Sequence, residues 1–502
     1  MSLETGATAL PVRAGLDRQL GLLALAATGI CSMLGAAINV IPFMIQRNVP
    51  GIGPNVLPAY LLAALPAVLA ALAYSALASA MPRAGGSYVY ASRALNPYLG
   101  FVASFSQWFG LSIAIGVVSY VLVPFLRDIA SALGWRALAT ALDTGIIRVI
   151  VALAFLWSFV AINARGLKLY ARTLVPLMFL MFVLGAIVIV AGFTFDHADF
   201  AAAVMRREGV AIPAAAAMPL RPGTLLAASA LLFSSFIGFD SIAQAGGEAR
   251  NPGRSLPLAV GIAVASVGLF YMLFTAAVYH AVPWAFIAER AMTQDLTAPG
   301  LLGYLLPTGW TVAIVGGAAV ALTNDLPAML LAVSRLMFAW AEDGIFPRWL
   351  ASVHPRWHTP HVALVMSGLM ASAGILGSHF AGDFFLGVDI LVTSMLVNFL
   401  LMCVSVLALP RRNPGIARDM RVLSSRGVRV LVAGLGTVVL TGFLAVNVRR
   451  DLSASLGAWY FHSTPLWLAV MAIASAVYAR DVRRLRRHGV EVDRIFATLP
   501  PE

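Results

Sequence analysis

Two carboxylic acids stand alone inside long apolar runs, Asp240 in Phe233-Ser-Ser-Phe-Ile-Gly-Phe-Asp240 and Asp325 in Thr323-Asn324-Asp325-Leu-Pro327. A charge at membrane depth costs about 2.5–3.5 kcal/mol on insertion scales, so an acid there is kept with a partner or on a pathway. A carboxyl removed from water holds a proton more readily and can load and release one near neutral pH. Both acids are therefore candidates for proton coupling. Two further roles are open for Asp325: counter-ion to a cationic substrate, or cation ligand together with Thr323. The structural alternative for either acid is a hydrogen bond to a helix end, and Pro327 frees a carbonyl close to Asp325.

The segments around these acids depart from ordinary helix sequence. Gly29-Ile-Cys-Ser-Met-Leu-Gly-Ala-Ala-Ile-Asn-Val-Ile-Pro42 mixes small residues, a polar Asn39 and a closing proline within a long apolar run. Phe233–Asp240 and the following Ser-Ile-Ala-Gln-Ala-Gly-Gly do the same. Unwound backbone at membrane depth is tolerated only where it is buried or lines a cavity. Glycine and alanine also serve close helix packing, and one such segment alone would be read that way. Two of them, opening the first and second groups of five spans, point to an inverted-repeat arrangement with substrate held between the breaks. Free N–H groups and the positive end of a half-helix favour a carboxylate, and freed carbonyls favour an ammonium or Na⁺. A zwitterion suits such a site.

The elements that carry these segments follow from composition. Of 502 residues, 60% are apolar and 11% charged, and the mean hydropathy is +0.87. Such a chain has lipid as its solvent. About 20 apolar residues are needed to cross the hydrocarbon core. Stretches of that order recur at 20–45, 56–81, 97–126, 145–163, 172–195, 222–246, 255–281, 308–338, 360–379, 386–409, 429–448 and 463–479. The expectation is an all-α membrane protein of about twelve transmembrane helices. A segment 1–18 precedes the first repeat, 19–195 (helices 1–5); the second repeat is 222–410 (helices 6–10), followed by helices 11–12 (428–480) and a tail 481–502. The first apolar stretch is too long for a cleavable signal.

The net charge of +12 is placed asymmetrically. With the N-terminus inside, the cytoplasmic segments hold 24 of the 34 basic residues and the opposite loops the other 10. That bias puts both termini in the cytoplasm and attracts anionic lipid headgroups, so membrane lipids rather than nucleic acid are the expected partner. The five arginines of 480–487 fit the same reading. Lys168 is the one lysine, and arginine usage this strong points to a GC-rich bacterial genome and hence a bacterial inner membrane. Cys31 and Cys403 both fall inside spans and do not form a disulfide framework.

At four places the chain resembles the amino acid–polyamine–organocation (APC) superfamily, over roughly residues 15–410: GICSMLGAAINVIP (29–42), MPRAGGSYVYASRALNP (81–97), FSSFIGFDSIAQAGGEARNPGRSLPLA (233–259) and SRLMFAWAEDGIFPRWLASVHPRWHTP (334–360). The resemblance implies a LeuT-type fold, with helices 1 and 6 broken, and transport of amino acids, polyamines or related amines. It implies that N–H groups around Gly35, Ala36 and Ala37 hold a carboxylate. The carbonyls of Met33, Ser234 and Ile237 would accept from an α-amine. Phe236 would be an aromatic gate, and Gly238 would admit close backbone approach. The sequence departs from the family at Ala37, where glycine is common, and at Asn39, where an aromatic is frequent; both changes alter the pocket floor. Span five lacks the lysine of many proton-coupled relatives, since Lys168 lies at its entrance.

Other functions find less support. No nucleophile–base pair, metal set or nucleotide motif is present, so no enzyme activity and no cofactor are expected. His354, His358 and His361 sit in a proline-punctuated loop with no carboxylate or cysteine to complete a metal site. Gly85-Gly86 is not followed by a Walker pattern. Glu248, Arg250 and Arg254 are read either as gate salt bridges or as positive-inside anchors. The resulting expectation is secondary active transport of amino acids or related amines by alternating access, with H⁺ or Na⁺ as candidate coupling ion. The alternatives are uncoupled exchange and a non-transporting membrane solute sensor.

Overall fold

The structure is a computed structural model that describes residues 18–83, 85–165, 167–212, 218–382, 384–454, 458–492, 496, 498 and 499. The expected N-terminal segment, apart from Arg18, and much of the tail beyond residue 492 lie outside the described residues. Among the described residues, twelve helices are long and apolar enough to cross a membrane: Leu22–Asn48, Gly53–Ala80, Pro97–Ser131, Gly145–Ala164, Leu174–Thr194, Pro222–Gln244, Pro252–Ala281, Gly309–Glu342, His361–Ala381, Phe385–Arg412, Arg426–Ser453 and Ser463–Arg487. They are spans 1 to 12 below. The chain is thus an all-helical, multi-pass membrane protein, as its composition predicts. In lipid each backbone polar group must be satisfied within its own segment, and a helix does this.

Burial separates an inner from an outer ring. At least 83% of the apolar window is buried in spans 1, 3, 6 and 8, against at most 28% in spans 4, 5, 11 and 12. Span 3 packs along spans 8, 9 and 10, and the first half of span 1 packs on spans 5, 7 and 8. The outer spans turn residues such as Ile146, Val190, Val438 and Ile473 outward, as a lipid-facing surface requires.

Local sequence fixes the ends. Asn96 accepts from Leu99 N at 2.8 Å with Pro97 next to it, a cap that starts span 3 sharply. Beyond span 5, helix His197–Glu208 begins with a capping box from Asp196 and Asp199 and ends on the left-handed Gly209. The backbone N–H groups of Asp199 and Ala198 hold the Asp196 carboxyl below its ordinary range. Short helices at Arg136–Asp143 and Trp284–Ala291 complete that side. On the opposite side lies Gly86–Ala94, entered through Gly85 at φ 92°. In the loop before span 9, His354 Nδ1 accepts from the amides of Arg356 and Trp357, which closes a turn.

Candidate functional site

Spans 1 and 6 are both interrupted. Span 1 is helical over Leu22–Met33 and again over Ala36–Asn48, with Leu34 (φ −81°, ψ 43°) and Gly35 (φ −94°, ψ −135°) unwound between. Pro42 does not close the span; the second half continues through it to Asn48. Span 6 is helical over Pro222–Leu232, tightens to a 3₁₀ turn at Phe233–Phe236, extends at Ile237 and resumes at Ser241–Gln244. Gly238 lies at φ +136°, a conformation open to glycine alone. A Cβ there would collide with the Ser32 carbonyl and sit 2.9 Å from Met33 N, so the two interruptions touch backbone to backbone.

A cavity of about 70 Å³ opens beside this crossing. Its polar part is Ser32, Ser234 and Asp325. The remainder is apolar, from the second half of span 1 (Val40, Ile41), from span 3 (Val117, Val118, Val121) and from span 10 (Val388, Leu391). Asp325 is 4% exposed, and its carboxylate lies against Gly35 so closely that no side chain fits at position 35. Asp325 Oδ1 and Ser32 Oγ are buried without a hydrogen-bond partner. Leaving such groups unpaired is costly, so a donor, a cation or a proton that pairs with the acid is favoured there.

The family model described as amino acid permease matches residues 20–473. The chain belongs to the amino acid permease family. Among its relatives, the branched-chain amino acid permease BcaP of Bacillus subtilis is 26% identical over 446 residues, covering 86% of this chain and 90% of that protein. The methylthioribose transporter of the same species is 24% identical over 93% of this chain and 94% of its own length. The low-affinity putrescine importer PlaP of Escherichia coli is 25% identical over 68% and 69%.

The permease distributes the residues singled out in its sequence over several places. Met33, Ser234, Ile237 and Asp325 line the cavity. Gly35, Ala36 and Ala37 form the start of the second half of span 1, where N–H groups have no intrahelical acceptor. Two of the three carbonyls expected to receive an amine already have donors: Met33 O accepts from the Tyr271 hydroxyl, and Ser234 O from Ile237 N at 3.2 Å. Phe236 is buried behind the cavity, edge-on to Tyr60 and Tyr271. Asn39 turns to a second, largely apolar cavity against spans 5, 7 and 8. Asp240 is not a cavity residue. Its Oδ1 accepts from Gly238 N at 3.1 Å and its Oδ2 from Gln107 Nε2, while Gln107 Oε1 accepts from Ser87 (2.5 Å) and Gln244 (3.1 Å). This network fixes the shape of the break in span 6. Thr323 donates to Ala319 O one turn back at 2.6 Å and lines neither cavity.

Sequence reasoning passed over Tyr271, Gln107, Asn324 and Arg335. Asn324 donates to Cys31 Sγ at 3.1 Å and to Leu174 O at 3.4 Å, tying spans 1, 5 and 8. Gln107, an amide in the middle of an apolar span, and Arg335, inside span 8, carried a readable polar signal; Tyr271 in a run of aromatics did not.

At the end of the bundle where span 1 begins, spans 1, 6 and 8 are tied together. Leu20 N donates to Glu248 O (2.9 Å) and Arg250 N to Leu20 O (2.8 Å), which stitches the entrance of span 1 to the exit of span 6. Arg335 grips Glu248 Oε1 from two nitrogens at 2.7 and 3.2 Å, with both side chains buried. Of the cluster Glu248, Arg250 and Arg254, only Glu248 is buried; both arginines are exposed. Gly246 packs directly on the backbone of Arg83, leaving no room for a side chain.

Proposed function

We propose that this permease is a secondary transporter carrying amino acids or related amines across the bacterial inner membrane by alternating access. One observation carries the reading: two interrupted spans meet at a cavity where the Asp325 carboxylate has an unpaired oxygen. Five spans separate the start of one interrupted helix from the next, so the two halves cross in opposite senses, as in an inverted repeat whose substrate lies at the repeat interface. The buried Glu248–Arg335 pair then acts as the cytoplasmic gate, with both termini on that side as the placement of arginines indicates. Asp325, rather than Asp240 or Thr323, is the coupling candidate, because the other two already have partners within the chain. Relatives named for branched-chain amino acids and for putrescine bracket the substrate class.

The test is uptake of radiolabelled amino acids and amines into proteoliposomes under an imposed pH gradient. Saturable uptake, accelerated by the gradient in wild type and indifferent to it in Asp325→Asn, supports coupled transport. Saturable uptake that ignores the gradient removes proton coupling. A binding response without any flux, in either direction, replaces transport by solute sensing.

A further inference from the structure

The position of Asp325 bears on which solute fits. The second half of span 1 starts at Ala36, and an anion set against such a start is favoured by its free N–H groups and half-helix dipole. In this permease that place is taken by the chain itself: the Asp325 carboxylate lies against Gly35, and a Cβ at Gly35 would overlap it. Asp325 and Ser32 both line the cavity, at 4% and 5% exposure, and Asp325 Oδ1 and Ser32 Oγ are buried without hydrogen-bond partners.

Resting on the transport reading above, we infer that Asp325 replaces the substrate carboxylate in cis, so that the substrate is an apolar amine with one ammonium and no carboxylate. Three features converge on this class. A second carboxylate beside Asp325 would meet a like charge with little water to screen it. Among the described residues Asp325 is the one charged residue in the cavity lining, so a single ammonium neutralises that acid, whereas a zwitterion leaves it uncompensated and a diamine brings a second, unpaired cation. The rest of the lining, Val40, Ile41, Val117, Val118, Val388 and Leu391 among it, is aliphatic and suits a hydrocarbon body. The ammonium would donate to Asp325 Oδ1 and Ser32 Oγ, the two acceptors that lack a donor.

The experiment is thermal stabilisation of the full-length permease in nanodiscs by matched ligands: isoamylamine with leucine, phenethylamine with phenylalanine, leucine methyl ester, and putrescine. A ligand of the native state raises the melting temperature by mass action. The monoamines and the ester are expected to act at concentrations at least tenfold below the parent amino acids, and putrescine less well than either monoamine. Asp325→Asn is expected to lose the amine response and to gain one to leucine or phenylalanine, because the helix start is then free for their carboxylate. Should that variant fold poorly, Ser32→Ala serves instead and is expected to weaken the amines severalfold. If leucine or phenylalanine stabilises wild type as well as its amine does, the inference is wrong while transport of amino acids stands. If neither amines nor amino acids act on folded protein, the inference and the substrate class proposed above both fail.

Discussion

Removing the carboxylate at Glu248 is expected to unlock one end of the permease. Glu248→Gln leaves Arg335 with its guanidinium buried, since both side chains are at most 7% exposed and Arg335 spends two N–H groups on Glu248 Oε1. Leaving one charge of a buried pair uncompensated costs about 3–5 kcal/mol. That cost falls on the closed form, where Arg335 cannot reach water. At about 1.4 kcal/mol per decade the closed-to-open ratio drops by roughly 10²–10⁴. Cys31 reports this opening. It is fully buried in the first half of span 1, three residues before the unwound segment. In a Cys403→Ser background, the rate of Cys31 modification by a maleimide applied from the gate side should rise by up to that factor. Exchanging the two charges, Glu248→Arg with Arg335→Glu, should return the rate most of the way. An unchanged rate in a well-folded Glu248→Gln variant refutes the gate. A charge exchange that labels as fast as the single variant refutes pairing as its cause.

Three other perturbations test separate links. Gln107→Ala removes the side-chain donor to Asp240 Oδ2 and should cost about 1–3 kcal/mol of stability, read as a lower melting temperature, with Gln107→Glu no better because it offers an acceptor where a donor is needed. Gly238→Ala forces a Cβ onto the Ser32 carbonyl at a backbone conformation closed to alanine, so it should abolish substrate binding while Gly261→Ala, where nothing lies within 4 Å, leaves it intact. Asp196 supplies a pH test outside the membrane: its carboxyl is held below the ordinary range by two backbone N–H groups, so the cap contributes at pH values above the unfolded value of about 3.9 and is lost as pH falls through the lower folded value. Hydrogen-exchange protection of residues 198–202, corrected for intrinsic rates, should therefore hold at pH 5 and collapse below about pH 4. Asp196→Asn should flatten that response.

What the sequence revealed depended on whether the signal was local. Spans 4 and 9 were expected at 145–163 and 360–379 and lie at Gly145–Ala164 and His361–Ala381, because an apolar run bounded by turn residues announces its own ends. The interruptions in spans 1 and 6 were readable as well, from small and polar residues at depth. Their detail was not: Pro42, expected to close span 1, lies within a helix, and its carbonyl accepts from the Tyr279 hydroxyl at 2.7 Å, a partner from span 7 that no local pattern supplies. The same limit applies to the acids. Asp240 and Asp325 are equally anomalous in sequence, yet Gln107 satisfies one from span 3 while the other faces a cavity.

That divergence gives the two acids different consequences. The Asp240 carboxylate is consumed by the fold, since Gly238 N and Gln107 hold both its oxygens and shape the break. Asp325 adds no hydrogen bond at Oδ1 and carries the desolvation cost of burial, so the fold alone offers no return for keeping it. A glycine at 35 is needed to admit its carboxylate, and the chain keeps both residues at the start of a half-helix. The cost is recovered only when something enters the cavity to pair with the acid. An ammonium and a proton compete for that one carboxylate, and among titratable side chains Cys31 and Tyr271 lie near enough to feel its charge. Amine binding should therefore weaken on acidification in wild type and respond less to pH in Asp325→Asn. Isothermal titration with phenethylamine from pH 8 to pH 5 measures the difference, and a wild-type affinity that is constant over that range and equal to that of Asp325→Asn would remove Asp325 from the binding site.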